Sequence, residues 1–472
     1  MPETQQGQAN VRPLLIRGGR VLDPASGFDQ TADVLIEGGK VREISADPGA
    51  LRPAGREALV IDAEGCIVTP GLVDMHVHVR EPSATHRETI ASGAAAAAAG
   101  GFTTICCMPN TTPPLDSASW IEFIAQKSEA AAGARVFAVG CATRDRAGKE
   151  PADIMAMARA GAVGFTDDGD CVADSGVLAN VLRTVAAVDR VFMQHCQDPT
   201  LTRGASMNAG ALATRLGLGG WPSIAEEIII ERDVRLNGSI GCRYHAQHVS
   251  SGDSVEIIRH AQREKQPVTA EVSPHHLLLT EDACDGYNTA AKMNPPVRTR
   301  RDIDLLKAGV ADGTITVLAT DHAPHLPEAK ALDFAAAPFG ISCLDCALPL
   351  YQMALVGDGV IDWPALIAMM TINPARLTGL DRRGIGRLQR GGLADVTVLD
   401  PKLAWTIDVR QFKSAGRNCP FDGWEVRGRA VATISHGRLI HQLDRANAVA
   451  TPRADGSRRE SARLVPDGVH AV

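Results

Sequence analysis

Eight short apolar runs rich in β-branched residues, each followed by a helix-like or irregular stretch, constrain this chain more than any other feature. In order they are Leu72–His78, Thr103–Met108, Val136–Cys141, Ala162–Thr166, Val191–His195, Tyr244–Val249, Val268–Val272 and Ile315–Thr320. Strands and helices alternating in that number predict an α/β fold of the (β/α)8 TIM-barrel type. The Ala-rich block Ile90–Gly100 reads as the first intervening helix, because alanine favours helix and small side chains permit close approach to a sheet. Shorter alternating segments bounded by turn residues open the chain (Leu14–Arg17, Asp33–Ile36, Val41–Ile44, Leu59–Ile61) and return at its end (Asp395–Leu399, Val431–Ile434, Leu439–His441). The two ends are therefore expected to meet in one small β-sandwich domain. The expected boundaries are 1–66 and 381–444 for its two parts, 67–380 for the barrel, and 445–472 for a polar, loosely held tail.

A chain of 472 residues has ample apolar content to bury a core of that size. Its formal charge of -7, without a sustained lysine or arginine run, argues against a nucleic-acid surface or a polybasic membrane patch. The first ten residues lack the basic and apolar blocks of a secretory signal, and no stretch reads as a membrane span. Eleven cysteines, an odd number without framework spacing, fit reduced thiols in a cytoplasmic protein. Cys343 and Cys346 form an isolated Cys-x-x-Cys with no second pair at zinc-site spacing, which points to helix packing.

Barrels of this kind place their chemistry at the carboxyl ends of the strands. Side chains alternate along a strand, so His76 and His78 project from one edge on the same side. Other strand ends add one aspartate of Asp167-Asp168, then His195, His248 and Asp321. Four imidazoles and two carboxylates suit a pair of zinc-like ions, roughly 3.5–4 Å apart, sharing a carboxylate. Two such ions would bridge a water and lower its pKa from about 15.7 towards neutrality while polarising a carbonyl, which is amide or ester hydrolysis. Asp321 is placed to take the water's proton and return it to a departing nitrogen. Arg80 offers a planar fork suited to a carboxylate, and Asn110 and His325 can add hydrogen bonds, so an anionic small-molecule substrate is implied.

The strings His-Val-His-Val-Arg-Glu-Pro, Met-Pro-Asn-Thr, Phe-Thr-Asp-Asp-Gly, Glu-Val-Ser-Pro-His-His-Leu, Lys-Met-Asn-Pro-Pro-Val-Arg and Ala-Thr-Asp-His-Ala-Pro-His carry a family resemblance. From about Leu14 to His441 the chain resembles the bacterial class I dihydroorotases of the amidohydrolase superfamily. The resemblance implies that His76 and His78 hold one zinc, His195 and His248 the other, and Asp168 bridges both, with Asp321 as the metal-bound acid/base. Arg80, Asn110 and His325 match groups that bind the substrate carboxylate; Asn294 and Phe339-Gly340 match residues that line the pyrimidine ring. The implied reaction is the reversible hydrolysis of (S)-dihydroorotate to N-carbamoyl-L-aspartate, the third step of de novo pyrimidine synthesis, in a cytoplasmic homo-oligomer. Some relatives bridge their metals with a carboxylated lysine, but the fourth run has none and Lys149 is too far back to reach. An aspartate bridge follows, Asp168 by the match and Asp167 as the fallback, since alternation admits only one. Gln197 stands where the family usually has an acidic residue, and His86 is an extra imidazole read as a solvated loop residue. The stretch Leu326–Pro338 is a candidate lid. The alternatives are another cyclic amidase, of dihydropyrimidinase or allantoinase type, or a non-catalytic partner of aspartate transcarbamoylase.

Overall fold

The computed structural model describes residues 12–53 and 58–444. The stretch expected to be a loose tail, 445–472, lies outside the described residues.

All eight expected barrel strands form, and all pair in parallel. They run Leu72–Val77, Phe102–Cys107, Arg135–Ala138 continued as Gly140–Cys141, Gly164–Thr166, Val191–Gln194, Arg243–Ala246, Val268–Val272 and Val317–Leu318. Val139 joins the two halves of the third strand, its N–H donating to Cys107 O at 3.0 Å. The circle closes between the eighth and first strands through a single bridge, Val77 with His322, and a His78 N–H to His322 O bond of 2.9 Å.

Helices cover the outside because one parity of each strand is apolar. Phe192, Tyr244, Ala246, Val268, Ala270 and Val272 share the main core with helix residues such as Ile229, Val255 and Ile258. The opposite parity explains the site. Val191 and Met193 on the fifth strand, Val317 on the eighth and Ala319 just beyond it are buried in one inner cluster; two residues further along come His195 and Asp321.

The helix Ile90–Gly100 begins with a capping box between Thr89 and Ser92 and buries most of its alanines. A Cβ on Gly100 would lie 2.2 Å from Leu344 O, so this helix end reaches its neighbour only as glycine. Cys343 and Cys346 are fully buried in the packing around Leu344–Cys346, and burial pushes both thiols well up.

The chain ends share one eight-stranded sheet. A bulge in Leu14–Asp23 between Ile16 and Gly19 lets that strand pair first with Leu59–Asp62 and then with Ile67–Pro70. Both arms turn their apolar faces to one core that includes Val34, Val68, Val398 and Val431, giving the expected sandwich. The sheet takes in Ile67–Pro70, beyond the 66/67 boundary, and this strand carries the pairing across to Val396–Thr406. No helix among the described residues is long and apolar enough to cross a membrane.

Candidate active site

Six groups expected to bind metal meet at the barrel's mouth. His76 Nε2 lies 3.3 Å from Asp168 Oδ1 and 3.4 Å from Asp321 Oδ1; His78 Nε2 lies 3.0 Å from Asp321 Oδ1 and 3.4 Å from Asp168 Oδ2. His195 Nδ1 is 2.7 Å from His248 Nε2, and these atoms are 3.6 and 3.7 Å from Asp168 Oδ1. Each of the six is at least nine-tenths buried. Three strand-end residues, Arg80, His248 and Asp321, have φ of 59°, 31° and 48°. That left-handed backbone is costly for bulky side chains and is the kind of strain that surrounding structure holds at functional sites.

The neighbouring strand end ties up Asp167. Asp167 Oδ1 accepts the N–H groups of Ala142 and Thr143, both at 3.0 Å, and its Oδ2 accepts the Thr143 hydroxyl. Asp168 is thereby turned to the imidazoles, and its N–H is held by Thr166 Oγ1 at 3.0 Å.

Hydrogen bonds behind the imidazoles select which nitrogens face inward. His76 Nδ1 donates to Glu271 Oε1 at 2.5 Å, His78 Nδ1 to Asn110 Oδ1 at 2.8 Å, and His195 Nε2 to Gln197 Oε1 at 2.8 Å. The opposite nitrogens of His76 and His78 face the two carboxylates, His78 Nε2 within hydrogen-bond distance of Asp321 Oδ1, and each would offer a lone pair to a cation once its proton is released. Gln197 therefore supplies an acceptor despite being uncharged. His76 Nε2 is buried with no hydrogen-bond partner, and a buried orphan of this kind costs about 1–3 kcal/mol unless a ligand satisfies it. Two sets, His76 with Asp168 and His248, and His76 with His78 and Asp321, bring donor atoms within 4.8 Å of one another. The chemistry and convergence of the donors fit a metal ion.

Burial works against the charges here, and the close opposite charges overcome it. Burial would raise Asp168, but His76, His195 and His248 hold it well below the usual carboxylate range; His76, His78 and His248 do the same for Asp321. Burial would likewise lower His76, which Asp168, Glu271 and Asp321 raise instead.

Beside these groups is a cavity of about 150 Å³. Arg80, Asn110, Asn294, His325, Phe339 and Gly340 all line it, as do His78, Asp168, His195, His248 and Asp321. Burial lowers the Arg80 guanidinium to about 10, so it remains a cation at neutral pH; its Nε donates to Pro324 O at 3.3 Å. His325 Nε2 donates to Phe339 O at 2.7 Å, leaving its Nδ1 buried and without a partner. Asn294 Oδ1 is also buried and unpartnered, while its Nδ2 donates to Gln197 Oε1 at 3.2 Å. Gly340 has φ of 141°, and a Cβ there would sit 2.7 Å from Ala323 O. His86 is exposed, outside this group.

Sequence reasoning missed the layer beneath. Glu271 joins His76 to His245, whose Nε2 is 3.1 Å from Glu271 Oε2, and it also accepts His248 N–H at 3.2 Å. Gln247 bonds Thr166 at 2.9 Å and approaches His76 Nδ1 at 3.2 Å. The available signal was a glutamate inside the otherwise apolar run Val268–Val272.

Comparison with known proteins agrees with this geometry. The family described as dihydro-orotase-like matches residues 65–254. A dihydroorotase from Geobacter sp. (strain M21) is 43% identical over 429 residues, covering 91% of this chain and 99% of the relative. One from Pelotomaculum thermopropionicum is 44% identical over 430 residues, covering 91% and 98%. Among solved structures, an L-hydantoinase (dihydropyrimidinase) from Arthrobacter aurescens matches with a TM-score of 0.80 at 29% identity, over 92% of this chain and 96% of that one.

Proposed function

The chain belongs to the dihydroorotase family, and from that premise we propose how its residues perform the reaction. It is a cyclic amidohydrolase, a dihydroorotase that interconverts dihydroorotate and N-carbamoyl-L-aspartate with water in pyrimidine synthesis. The observation that carries the reading is the convergence of four buried imidazoles and two buried carboxylates beside a cavity that also presents Arg80.

Zinc, as two ions per subunit, is the assignment we make for the metal. His76, His78, Asp168, His195, His248 and Asp321 are the residues that would hold them. Such ions, when bound, lower the pKa of water and polarise a carbonyl oxygen. The protein's groups supply the rest. Asp321, held as a carboxylate, accepts a proton from the attacking water and returns it to the ring nitrogen as the amide bond breaks. Arg80 pairs with the substrate carboxylate, and Asn110 and His325 border the same position. Asn294 Oδ1, an acceptor without a donor, suits an N–H of the ring, and Phe339-Gly340 form the wall beside it.

The barrel, which we place from Leu72 to about residue 380, carries this chemistry, and the sheet shared by the two chain ends, which includes Ile67–Pro70, supports it. We further assign the chain to the bacterial class I type, acting in the cytoplasm as a homo-oligomer, with aspartate transcarbamoylase as a candidate partner. Eleven cysteines, all free, favour the reducing compartment; the class, the oligomer and the partner rest on the family resemblance.

The test is turnover of dihydroorotate, dihydrouracil and allantoin by metal-depleted and metal-restored protein. Dihydroorotate alone should react, with activity lost on depletion and regained on restoration. Preference for dihydrouracil would replace this reading with that of a dihydropyrimidinase, which the 29% identical L-hydantoinase makes the nearest rival. Full activity after stripping would remove the metal from the reaction.

A further inference from the structure

Two lysines beside the cavity are buried, Lys292 at 2% and Lys330 at 8% exposure. Their ammoniums meet carbonyls. Lys292 Nζ donates to the oxygens of Phe334, Ala335 and Ala337 at 2.6, 3.0 and 2.6 Å; Lys330 Nζ donates to those of Thr289, Lys292 and Pro338 at 3.0, 3.2 and 2.9 Å. An ammonium has three N–H donors and no acceptor, so each is saturated by backbone alone.

The contacts are reciprocal. Lys292 belongs to the segment before Asn294 and reaches into the loop that follows the short helix Pro327–Lys330; Lys330, at the end of that helix, reaches back to the Thr289–Lys292 side. Gly340 N–H donates to Lys292 O at 3.0 Å, and Lys292 Nζ lies 4.4 Å from the centre of the Phe339 ring. Both ends of this clamp therefore lead into the cavity wall, through Asn294 on one side and Phe339-Gly340 on the other.

Burying a cation is expensive, and among the described residues neither ammonium is paired with a carboxylate; the neighbouring Cys284 is a thiol that burial pushes up to about 12. Burial and their mutual repulsion push Lys330 down to about 7, and burial brings Lys292 down to about 8. An apolar side chain would stabilise a mere packing site at less cost, but would leave the carbonyls of Phe334, Ala335, Ala337 and Pro338 without these donors; those of Thr289 and Lys292 keep a backbone N–H each.

We propose that Lys292 and Lys330 are positioning residues, a reciprocal ammonium clamp that fixes the 334–340 segment as a preformed wall of the substrate cavity. Leu326–Pro338 is then a strapped-down loop whose order is established before substrate arrives, which lowers the ordering cost of binding. The proposal rests on the cavity being the dihydroorotate site.

Lys292→Met, Lys330→Met and Lys330→Gln in the full-length, metal-loaded protein test it by steady-state kinetics, metal content and limited proteolysis. Each Met variant should raise KM for dihydroorotate about tenfold with kcat within about threefold of wild type. Metal content should stay unchanged, and cleavage within 326–338 should quicken. The milder Lys330→Gln, which retains two N–H donors, should fall between Lys330→Met and wild type, and it keeps the test open should a Met variant misfold. Variants with lowered Tm but unchanged KM and unchanged cleavage would reduce the pair to a structural role and overturn the clamp. If the wild type does not turn over dihydroorotate, the functional reading fails separately. The clamp is then judged by cleavage of 326–338 alone, and unchanged cleavage refutes it.

Discussion

At the mouth of the barrel Asp168 and Asp321 are buried among imidazoles; at the opposite end Asp189 is more than half exposed and is held by Arg243 at 2.8 Å and Arg382 at 2.7 Å. Around Asp189 the arginines also answer helix-end carbonyls, Arg190 Nε to Ala162 O at 2.9 Å and Arg243 Nη1 to Leu377 O at 3.3 Å. Charges at the floor are thus satisfied by what surrounds them and solvated besides. At the mouth they are desolvated, and His76 Nε2, Asn294 Oδ1 and His325 Nδ1 are left without partners. The difference teaches that charge alone does not mark the site. Buried charges gathered beside one cavity, with the unpartnered Asn294 Oδ1 and His325 Nδ1 in its lining residues, do.

The largest expected break in this contrast is Asp321→Asn, which should leave circular dichroism near wild type while lowering kcat by about 10³-fold or more, measured on dihydroorotate. Retained turnover would remove Asp321 from proton transfer. Next, Arg80→Ala should raise KM for the anionic substrate by about 10²-fold, and Arg80→Lys should recover only part of it, since a point charge does not replace a fork. A smaller effect is expected from Glu271→Gln, which removes the charge behind His76: metal affinity should fall about 10–100-fold by competition with a chelator. The smallest belongs to the floor. Asp189→Ala should lower Tm by no more than about 2 °C at neutral pH with kcat and KM unchanged. Arg382 holds the Asp189 carboxyl below its ordinary value, so its contribution is present above about pH 4 and lost as pH falls below that. A large kinetic effect of Asp189→Ala would erase the distinction between the two ends.

Much of the mouth was legible because strand parity and strand ends are sequence properties. His195 and Asp321 continue alternations that begin with Val191 and Val317. Ile67–Pro70 was missed as a strand because only Gly71 separates it from Leu72, so two strands in different sheets read as one apolar stretch. The Asp167/Asp168 choice needed the neighbouring Ala142 and Thr143 amides, which no local pattern displays. Lys292 and Lys330 were illegible for a related reason: their partners are main-chain oxygens, and every residue has one.

The barrel's last joint has a mechanical meaning. His76 and His78 belong to the first strand and Asp321 follows the eighth, while among the described residues the backbone stitching between those strands is the Val77–His322 bridge and its adjoining His78 amide. Whatever occupies the ligands on both sides must also rivet this seam. Hydrogen exchange at the His78 amide should therefore report loading of the centre, because the ring of strands is fastened where its chemistry is assembled.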